Sequence, residues 1–316
     1  MSASRSGVVV GVDIGGTKVL AGVADDEGQV SHTALRTTPG RRVVTSRVED
    51  ALVEAIVEAA GGEPLVGVGV AAAGFVDSAG ERVMFAPHLP WQGEPLKNLL
   101  EGRLGCPVGL DNDANCAARA EARYGAARGA ASALMVTMGT GIGGAVLLGG
   151  RVVRGANGMA GEFGHMQVVP DGQPCECGRR GCWEQYSSGN ALVRNARALM
   201  VEQPSVLNDM TDGRPEQITG PMVTSAAEQG DLVAHRAFAS VGHWLGVGVA
   251  NLVAAFDPEV VVIGGGVSAA GDRLLEPARD ALRRTLVGAE HRRIPGVVAA
   301  ELGPRAGMIG AALLVS

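Results

Sequence analysis

Two stretches of this 316-residue chain share one design, and they limit its possible folds more than any other feature. The stretch "VGVDIGGTKVLAGV" near the start and "VTMGTGIGGAVLLG" near the middle each contain an apolar strand, a glycine-rich turn with a threonine, and a second strand. Each pattern predicts a β-hairpin that opens one half of the chain. Two such hairpins indicate a duplicated α/β architecture that grips one ligand between its halves.

The segments between and after the hairpins alternate between strand-like and helix-like patterns. Apolar, β-branched runs such as "LVGVGVAAAGFVD", "PVGLDND" and "EVVVIGGGV" predict further strands. Apolar residues recur every four positions from Val44 to Ala60, which predicts an amphipathic helix with this face buried. The stretch "VGHWLGVGVANLVAAF" is interrupted by His243 and Asn251, which favours a buried helix over a membrane span.

Composition supports a folded, two-domain protein. Hydrophobic residues make up 46% of the chain and charged residues 19%, and the length exceeds that of one usual core. The 48 glycines lack a G-X-Y period, so we expect them in tight turns, close helix packing and ligand contacts. A net charge of −6 without a basic run disfavours nucleic acid. In the start "MSASRSGVVV" one arginine is followed by an apolar run that soon meets Asp13 and is too short for a signal peptide core. We therefore expect a cytoplasmic protein without a membrane partner.

The first glycine turn differs from a nucleotide-binding P-loop. Gly11 and Gly16 have the P-loop spacing, but Thr17 precedes Lys18, whereas a P-loop has lysine before the hydroxyl residue. The turn also leads into a strand and not into a helix. Its N–H groups would form a hairpin-type anion nest, with Asp13 holding Mg²⁺ through water and Thr17 donating to a phosphate oxygen. A plain tight hairpin remains the alternative.

Two later glycine groups are also candidate nucleotide contacts. Gly139, Gly141 and Gly144 have G-x-G-x-x-G spacing, but a dinucleotide fingerprint would continue into a helix and "AVLLGG" does not. The run Gly264 to Gly266 follows the strand "EVVVI" and would allow a flat base or ribose to approach the backbone closely. An ordinary turn is the alternative for each group.

A cysteine-rich segment predicts a structural zinc site. In "EFGHMQVVPDGQPCECGRRGCWEQ", the side chains of His165, Cys175, Cys177 and Cys182 supply the four ligands of a closed tetrahedral site. The spacing differs from that of a nucleic-acid finger. Three buried thiols without a metal are the alternative.

Two glutamates adjoin the predicted zinc ligands. Glu162 precedes His165 by three residues, and Glu184 follows Cys182 by two. Carboxylates held rigidly in this way suit a polyhydroxylated ligand, because each accepts hydrogen bonds from hydroxyl groups. Solvated loop charges are the alternative.

The stretch "LDNDANCA" places Asp111, Asn112 and Asp113 where a strand gives way to a helix. Asn112 or Asp113 can cap this helix, but a helix N-terminus also keeps a nearby carboxylate ionised and ready to accept a proton. Cys116 is either a thiol of lowered pKa or a small buried residue, and Cys106 is interpreted as buried. His88, His235 and His243 are interpreted as structural or surface residues.

Together these motifs resemble the ROK family of sugar kinases and sugar-responsive repressors, which has the actin-like (ribonuclease H-like) ATPase fold. "DIGGTK" is similar to its first phosphate motif, "MGTGIGGA" to its second and "VVIGGGV" to its adenosine motif, while "EFGH" and "CECGRRGCWE" match its metal and sugar segment. The resemblance covers nearly the whole chain. It implies two α/β domains with a cleft between them: residues 1–112 joined by a C-terminal helix 304–316, and residues 113–303 carrying the zinc loop.

The resemblance also implies roles for individual residues in an ATP- and Mg²⁺-dependent sugar kinase with structural Zn²⁺. Asp113 is the implied catalytic base. The implied sugar ligands are Gly74, Asn112, Asp113, Glu162, His165 and Glu184. The implied nucleotide and phosphate contacts are Asp13, Gly15, Gly16, Thr17, Lys18, Gly139, Thr140, Gly141, Gly264, Gly265 and Gly266.

Glucose is the favoured substrate, because "APHLPWQGEPL" resembles the segment before the catalytic strand in bacterial glucokinases of this family. Two departures keep N-acetylmannosamine, fructose and allose as alternatives: no proline precedes Gly74, and His88 replaces a common asparagine. A repressor of the family would carry a helix-turn-helix domain before the first phosphate motif, yet only twelve residues precede Asp13. A noncatalytic sugar-binding protein is a further alternative. The resemblance implies a homodimer or homotetramer and leaves ATP or polyphosphate as the donor.

Overall fold

The computed structural model describes residues 7–315. The predicted lack of a signal peptide concerns in part residues 1–6, which lie outside the described residues. The strands are β1 (Val8–Ile14), β2 (Lys18–Ala24), β3 (Val30–Thr37), β4 (Leu65–Ala72), β5 (Phe75–Val76), β6 (Val83–Phe85), β7 (Val108–Asn112), β8 (Ser132–Met138), β9 (Ile142–Leu148), β10 (Arg151–Val152), β11 (Val260–Gly264) and β12 (Gly296–Ala299). The α-helices are α1 (Thr45–Ala60), α2 (Leu96–Leu104), α3 (Asp113–Tyr124), α4 (Gly189–Glu202), α5 (Val206–Met210), α6 (Gly220–Glu228), α7 (Leu232–Phe256), α8 (Asp272–Thr285) and α9 (Ala306–Ala312).

The two larger sheets have the same topology. The first has the strand order β3-β2-β1-β4-β7 and the second the order β10-β9-β8-β11-β12. In each sheet the strands taken in chain order occupy positions 3-2-1-4-5. In the first sheet β1 pairs antiparallel with β2 and parallel with β4, and in the second β11 pairs parallel with β8 and β12. The duplicated architecture predicted from the two glycine hairpins is therefore confirmed.

Contacts divide the chain into two compact units. One is made of the described residues of Met1–Ala131, Ala145–Gly161 and Glu301–Ser316, and the other of Ser132–Gly144 and Glu162–Ala300. This grouping places α3 in the first unit, whereas the predicted boundary at residues 112 and 113 places it in the second domain. The division into residues 1–112 with 304–316 and residues 113–303 stays a prediction.

Glycines allow α9 to lie directly on the sheet of the first unit. A methyl group at Gly69 would overlap the carbonyl of Ala311, and one at Gly310 would overlap that of Cys116 in α3. The expected use of glycine in close helix packing is confirmed here. The helix α9 thereby fixes the carboxyl ends of β1 and β4 and the start of α3, where several candidate site residues lie.

Two of the predicted helices have informative details. The helix α1 buries Val48, Leu52 and Ile56 as predicted, but Val44 lies just before its first turn and is 67% exposed. Its C-terminus is capped by Gly61 in the left-handed conformation. The helix α7 is long and apolar enough to cross a membrane by length and composition, yet most of its apolar window is buried. It packs against α8 through Gly242 and Gly246, where methyl groups would overlap the α8 residues.

Candidate active site

The first glycine turn is a tight hairpin closed by its own backbone. The N–H of Gly15 donates to the carbonyl of Lys18 at 3.0 Å. Thr38, which is buried, donates its hydroxyl to the carbonyl of Gly15 at 2.8 Å and its N–H to that of Thr17 at 3.0 Å. Within residues 7–315 the N–H groups of Gly16 and Thr17 form no hydrogen bond. The turn therefore presents free donors, as an anion nest requires.

Asp13 is the next-to-last residue of β1, beside this turn. Burial raises its pKa to about 7, with a further increase from the negative charge of Asp113 and a smaller decrease from Lys18. The carboxylate packs on the start of α9, where a methyl group at Gly307 would lie 2.7 Å from Oδ2. An oxygen ligand that is partly buried, beside a second carboxylate, fits Mg²⁺, which binds proteins through one or two carboxylates and keeps several waters.

Asp111 is fully occupied by structural hydrogen bonds. Its Oδ2 accepts from Nε and Nη2 of Arg154 at 3.1 and 2.8 Å and lies 3.4 Å from Nη2 of Arg119. Its Oδ1 accepts from the N–H of Asn112 at 2.9 Å and from the side-chain amide of Asn115 at 3.0 Å. The side chain is buried, with 2% exposure. A carboxylate paired in this way stabilises the start of α3 and has no capacity left for a substrate.

Asn112 is the N-cap of α3, one of the alternatives that the sequence left open. Its Oδ1 accepts from the N–H groups of Ala114 and Asn115 at 2.9 and 3.2 Å. Its Nδ2 donates to the carbonyl of Gly74 at 3.0 Å. Gly74 has φ of 151° and a methyl group there would lie 2.6 Å from the carbonyl oxygen of Phe85, so only glycine fits.

Asp111, Asn112 and Asp113 form an acidic triplet with two carboxylates, and Asp113 is the one that no basic side chain pairs in the described part of the chain. Its Oδ1 accepts from the N–H of Ala114 at 2.8 Å. Burial raises the pKa of Asp113, while hydrogen bonds from the backbone and from Asn112 lower it. A carboxylate whose pKa is raised is a better proton acceptor for general base catalysis, because its basicity increases with its pKa.

The second glycine turn contacts the N-terminus of α4, and both lie in the second unit. The N–H of Gly139 donates to the carbonyl of Gly141 at 3.0 Å, and the carbonyl of Gly139 accepts from the N–H of Gly189 at 2.8 Å. The third glycine group lies beside it. Gly265 has φ of 82°, and a methyl group there would overlap the carbonyl of Met138, which ends β8. The second and third glycine groups are therefore adjacent, although their separation in sequence exceeds 120 residues.

The four predicted zinc ligands come together. One ligand atom from each of His165, Cys175, Cys177 and Cys182 lies within 4.8 Å of the others. The Sγ atoms of Cys177 and Cys182 are 3.6 Å apart, and Cys175 Sγ is 3.8 Å from Nδ1 of His165. A tetrahedral zinc with sulfur about 2.3 Å away places two sulfurs about 3.8 Å apart. The donor set and its spacing thus fit a closed zinc site.

Glu184 connects this cluster with the second glycine turn. Its Oε1 accepts from the thiol of Cys175 at 3.0 Å and lies 3.6 Å from Nδ1 of His165. Its Oε2 lies against Gly141, where a methyl group would overlap it. Glu162 comes directly before a 3₁₀ turn, Phe163–His165, in which the N–H of His165 donates to the Glu162 carbonyl at 3.2 Å. The carboxylate of Glu184 therefore lies beside two of the predicted metal ligands, Cys175 and His165. The roles of Glu162 and Glu184 as sugar ligands stay predictions.

Buried residues that sequence reasoning missed hold the zinc segment in place. Trp183 is fully buried between Cys182 and Glu184 and donates from Nε1 to the carbonyl of Trp244 at 2.7 Å. Its ring fills the space beside Gly248, where a methyl group would overlap the indole.

Thr38, at the first glycine turn, is another buried residue that sequence reasoning missed. Its position just after β3 carries no motif, and only the fold brings it to Gly15.

The two cysteines outside the cluster are small buried residues, and His88 is a surface residue beside the first glycine turn. The hypothesis of a lowered pKa for Cys116 is wrong, because burial raises the pKa of this thiol well above its ordinary value. Cys116 packs with Ala71 and Ala311 as a small buried residue, and Cys106 is also buried. His88 is exposed, but it lies directly over the first glycine turn: a methyl group at Gly16 would lie 2.5 Å from its Cβ.

The fold and the glycine turns define a protein of the actin-like ATPase class, with two copies of the 3-2-1-4-5 sheet. A family model for the ROK family matches residues 9–316, and the chain belongs to that family.

Relatives and solved structures agree with this membership. The chain is 43% identical to a glucokinase of Streptomyces coelicolor over 97% of this chain and 96% of the relative. It is 31% identical to a putative xylose repressor of Caldicellulosiruptor, covering 98% of this chain and 78% of that protein. The crystal structure of a ROK family glucokinase from Streptomyces griseus in complex with glucose and AMPPNP is similar with a TM-score of 0.89. It is 45% identical and the match covers 98% of this chain and 99% of that one.

Proposed function

We propose that this protein transfers the γ-phosphoryl group of ATP to glucose, giving glucose 6-phosphate and ADP. Near-full-length identity of 43% to a glucokinase supports the reaction. The structural observation that carries the mechanism is the contrast within the acidic triplet: Asp111 is saturated by Arg154, Arg119 and Asn115, whereas Asp113 has no cationic partner within residues 7–315.

The proposed chemistry uses Asp113 as general base. Asp113 accepts the proton of the sugar hydroxyl while that oxygen forms a bond to the γ-phosphorus and the bond to the bridging oxygen of ADP breaks. Phosphoryl transfer depends mainly on positioning and on charge stabilisation. Asp13 would hold Mg²⁺ through water, and the ion would supply charge neutralisation for the triphosphate.

The other site residues bind and orient the two substrates. We assign to the sugar Gly74, Asn112, Glu162, His165 and Glu184. The free N–H groups of Gly16 and Thr17 suit phosphate oxygens, and we assign the turns around Gly139 to Gly141 and Gly264 to Gly266 to the nucleotide. Zn²⁺ on His165, Cys175, Cys177 and Cys182 is structural, because the four protein ligands leave no open position. In this proposal the enzyme is cytoplasmic, acts in glycolysis as a homodimer or homotetramer, and has no nucleic-acid or membrane partner.

An ADP-release assay across hexoses and N-acetylhexosamines, with ATP or polyphosphate as donor, tests this proposal. We expect the highest kcat/KM with glucose and ATP. The Asp113→Asn variant should lose about 10²- to 10⁴-fold in kcat, the usual contribution of a general base, with glucose binding changed far less. The exposed carboxylate of Asp280 offers a control, since Asp280→Asn should keep full turnover.

Other results would contradict the assigned base, the assigned substrate or the assigned enzyme activity. Full turnover by Asp113→Asn would remove the base assignment. A higher kcat/KM with N-acetylmannosamine, fructose or allose would replace glucose as the substrate. Sugar binding without turnover on any member of the panel would instead support a sugar-sensing regulator, the function that the similarity to a putative xylose repressor favours.

A further inference from the structure

The segment Ala86–Trp91 presents one exposed histidine from a rigid, anchored turn. Leu89 and Trp91 are buried in the core of the first unit, with 2% and 0% exposure. The N–H of Ala86 donates to the carbonyl of Trp91 at 3.3 Å, and that of Leu89 donates to the carbonyl of Ala86 at 3.4 Å. Pro87 and Pro90 flank His88 and Leu89, and each proline ring fixes φ at its own position. The imidazole of His88 is therefore held outward by a turn with little conformational freedom.

This turn lies between two features already assigned to the substrates. At one end, a methyl group at Gly74 would lie 2.6 Å from the carbonyl of Phe85 and 3.0 Å from Cα of Ala86. At the other end, a methyl group at Gly16 would lie 2.5, 3.1 and 3.6 Å from Cβ, Cγ and Cδ2 of His88. His88 thus stands over the anion nest, on the side of the turn that leads to Gly74.

The imidazole has no partner of its own. Within residues 7–315 it forms no hydrogen bond or ion pair, and the adjacent N–H groups of Gly16 and Thr17 are also free. Three free donors beside the cation Lys18 are suited to an oxyanion and not to a neutral group. A rigidly held, unpaired imidazole at this place has no structural role that its contacts explain.

We propose that His88 is a further catalytic residue, donating a hydrogen bond from its imidazole to an oxygen of the γ-phosphoryl group of the phosphate donor. This inference rests on the proposed kinase function. Such a donor acts on charge that spreads over the equatorial oxygens during transfer, and it requires no proton to leave the imidazole. An asparagine amide would supply a donor at the same place, so His88→Asn is the conservative variant for this role.

Binding and turnover of His88→Ala, His88→Asn and the control His235→Ala test the proposal. His235 is an exposed histidine on α7, without a side-chain hydrogen bond in the described chain. Calorimetry with AMPPNP, ADP and glucose separates contact with the γ-phosphoryl group from general damage. For His88→Ala we expect kcat/KM for ATP to fall by about 10- to 100-fold and AMPPNP affinity by about 10-fold. Affinities for ADP and glucose should stay within about 2-fold, and His88→Asn should recover most of the loss.

Several outcomes would overturn the assignment. Unchanged kcat and AMPPNP affinity in His88→Ala would do so, and equal losses for AMPPNP and ADP would show a structural effect. Thermal unfolding of each variant identifies misfolding, and His88→Asn still decides the question if His88→Ala is unstable. If the wild-type protein phosphorylates no sugar, the proposed function fails on its own, while a selective loss of AMPPNP over ADP binding would still support the contact of His88.

Discussion

Arg154, which is partly exposed, and the buried Asp111 form an ion pair directly beneath the start of α3. Both Nε and Nη2 of Arg154 donate to Oδ2 of Asp111, at 3.1 and 2.8 Å. The pair is separated by 43 residues in sequence and lies next to Asn112, whose N–H donates to the other oxygen of Asp111. Because Asn112 and Asp113 follow Asp111 in the chain, this ion pair fixes the backbone that presents the candidate base.

Removing the guanidinium should destabilise the protein. In Arg154→Met, the only basic side chain left beside the buried Asp111 carboxylate in the described chain is Arg119, at 3.4 Å, so we expect the free energy of unfolding to fall by about 3 kcal/mol. Urea unfolding followed by circular dichroism measures the loss. The double variant Asp111→Asn with Arg154→Met removes the unpaired charge and should regain part of it. Equal stability of Arg154→Met and wild type would show that the ion pair contributes nothing.

Alanine at two glycines of the second turn should change stability by very different amounts. A methyl group at Gly141 would overlap Oε2 of Glu184, whereas a methyl group at Gly139 would meet no atom within 4 Å. We expect Gly141→Ala to cost about 1–3 kcal/mol of unfolding free energy and to raise KM for glucose, because Glu184 must move. Gly139→Ala should change stability by less than about 0.5 kcal/mol. Identical unfolding curves for both variants would contradict the observed packing of Glu184.

Metal analysis and metal removal test the cysteine cluster. Protein purified without chelator should contain one zinc per chain, and Cys182→Ser should contain none. Loss of the ion should lower stability by several kcal/mol and raise KM for glucose, because Glu184 and His165 are positioned by the same loop. Cys106→Ser is a control, since Cys106 is a buried cysteine outside the cluster. Zinc-free protein of full stability and activity would exclude the site.

Stability in Mg²⁺-free buffer should fall as pH rises through the range in which Asp13 titrates. The pKa of Asp13 is about 7 in the folded protein against 3.8 as its ordinary value, so the folded state holds this proton more tightly. The contribution of Asp13 to the free energy of unfolding is therefore greatest below about pH 4. It decreases as the pH rises to 7, by at most about 4 kcal/mol at 1.36 kcal/mol per pKa unit. Urea unfolding at pH 5 and pH 8 in EDTA measures the difference.

Two variants show whether Asp13 causes this slope. Asp13→Asn cannot titrate, so its stability should differ less between pH 5 and pH 8 than that of the wild type. Asp280→Asn removes an exposed carboxylate and should leave the difference unchanged. A wild-type stability that rises between these two pH values would have the opposite sign from the expected one.

The predictions that depend on short-range patterns agree with the structure. Hairpin periodicity around the glycines predicts β1, β2, β8 and β9, and the shared design of the hairpins predicts two sheets of one topology. The ligand types and spacing from His165 to Cys182 predict a cluster that the structure brings together. Each of these patterns lies within about 20 residues, so the local backbone geometry largely determines where its side chains lie.

The sequence by itself thus determined the fold class, the glycine turns, the metal-ligand set and the position of the acidic triplet. Only the tertiary structure decided which of Asp111 and Asp113 is available, because the choice depends on Arg154, which packs against Asp111 from a distant segment. It also placed Thr38 on the first turn and His88 over Gly16. A side chain is free or saturated according to partners brought by the fold, and sequence spacing carries no information about partners that lie dozens of residues away.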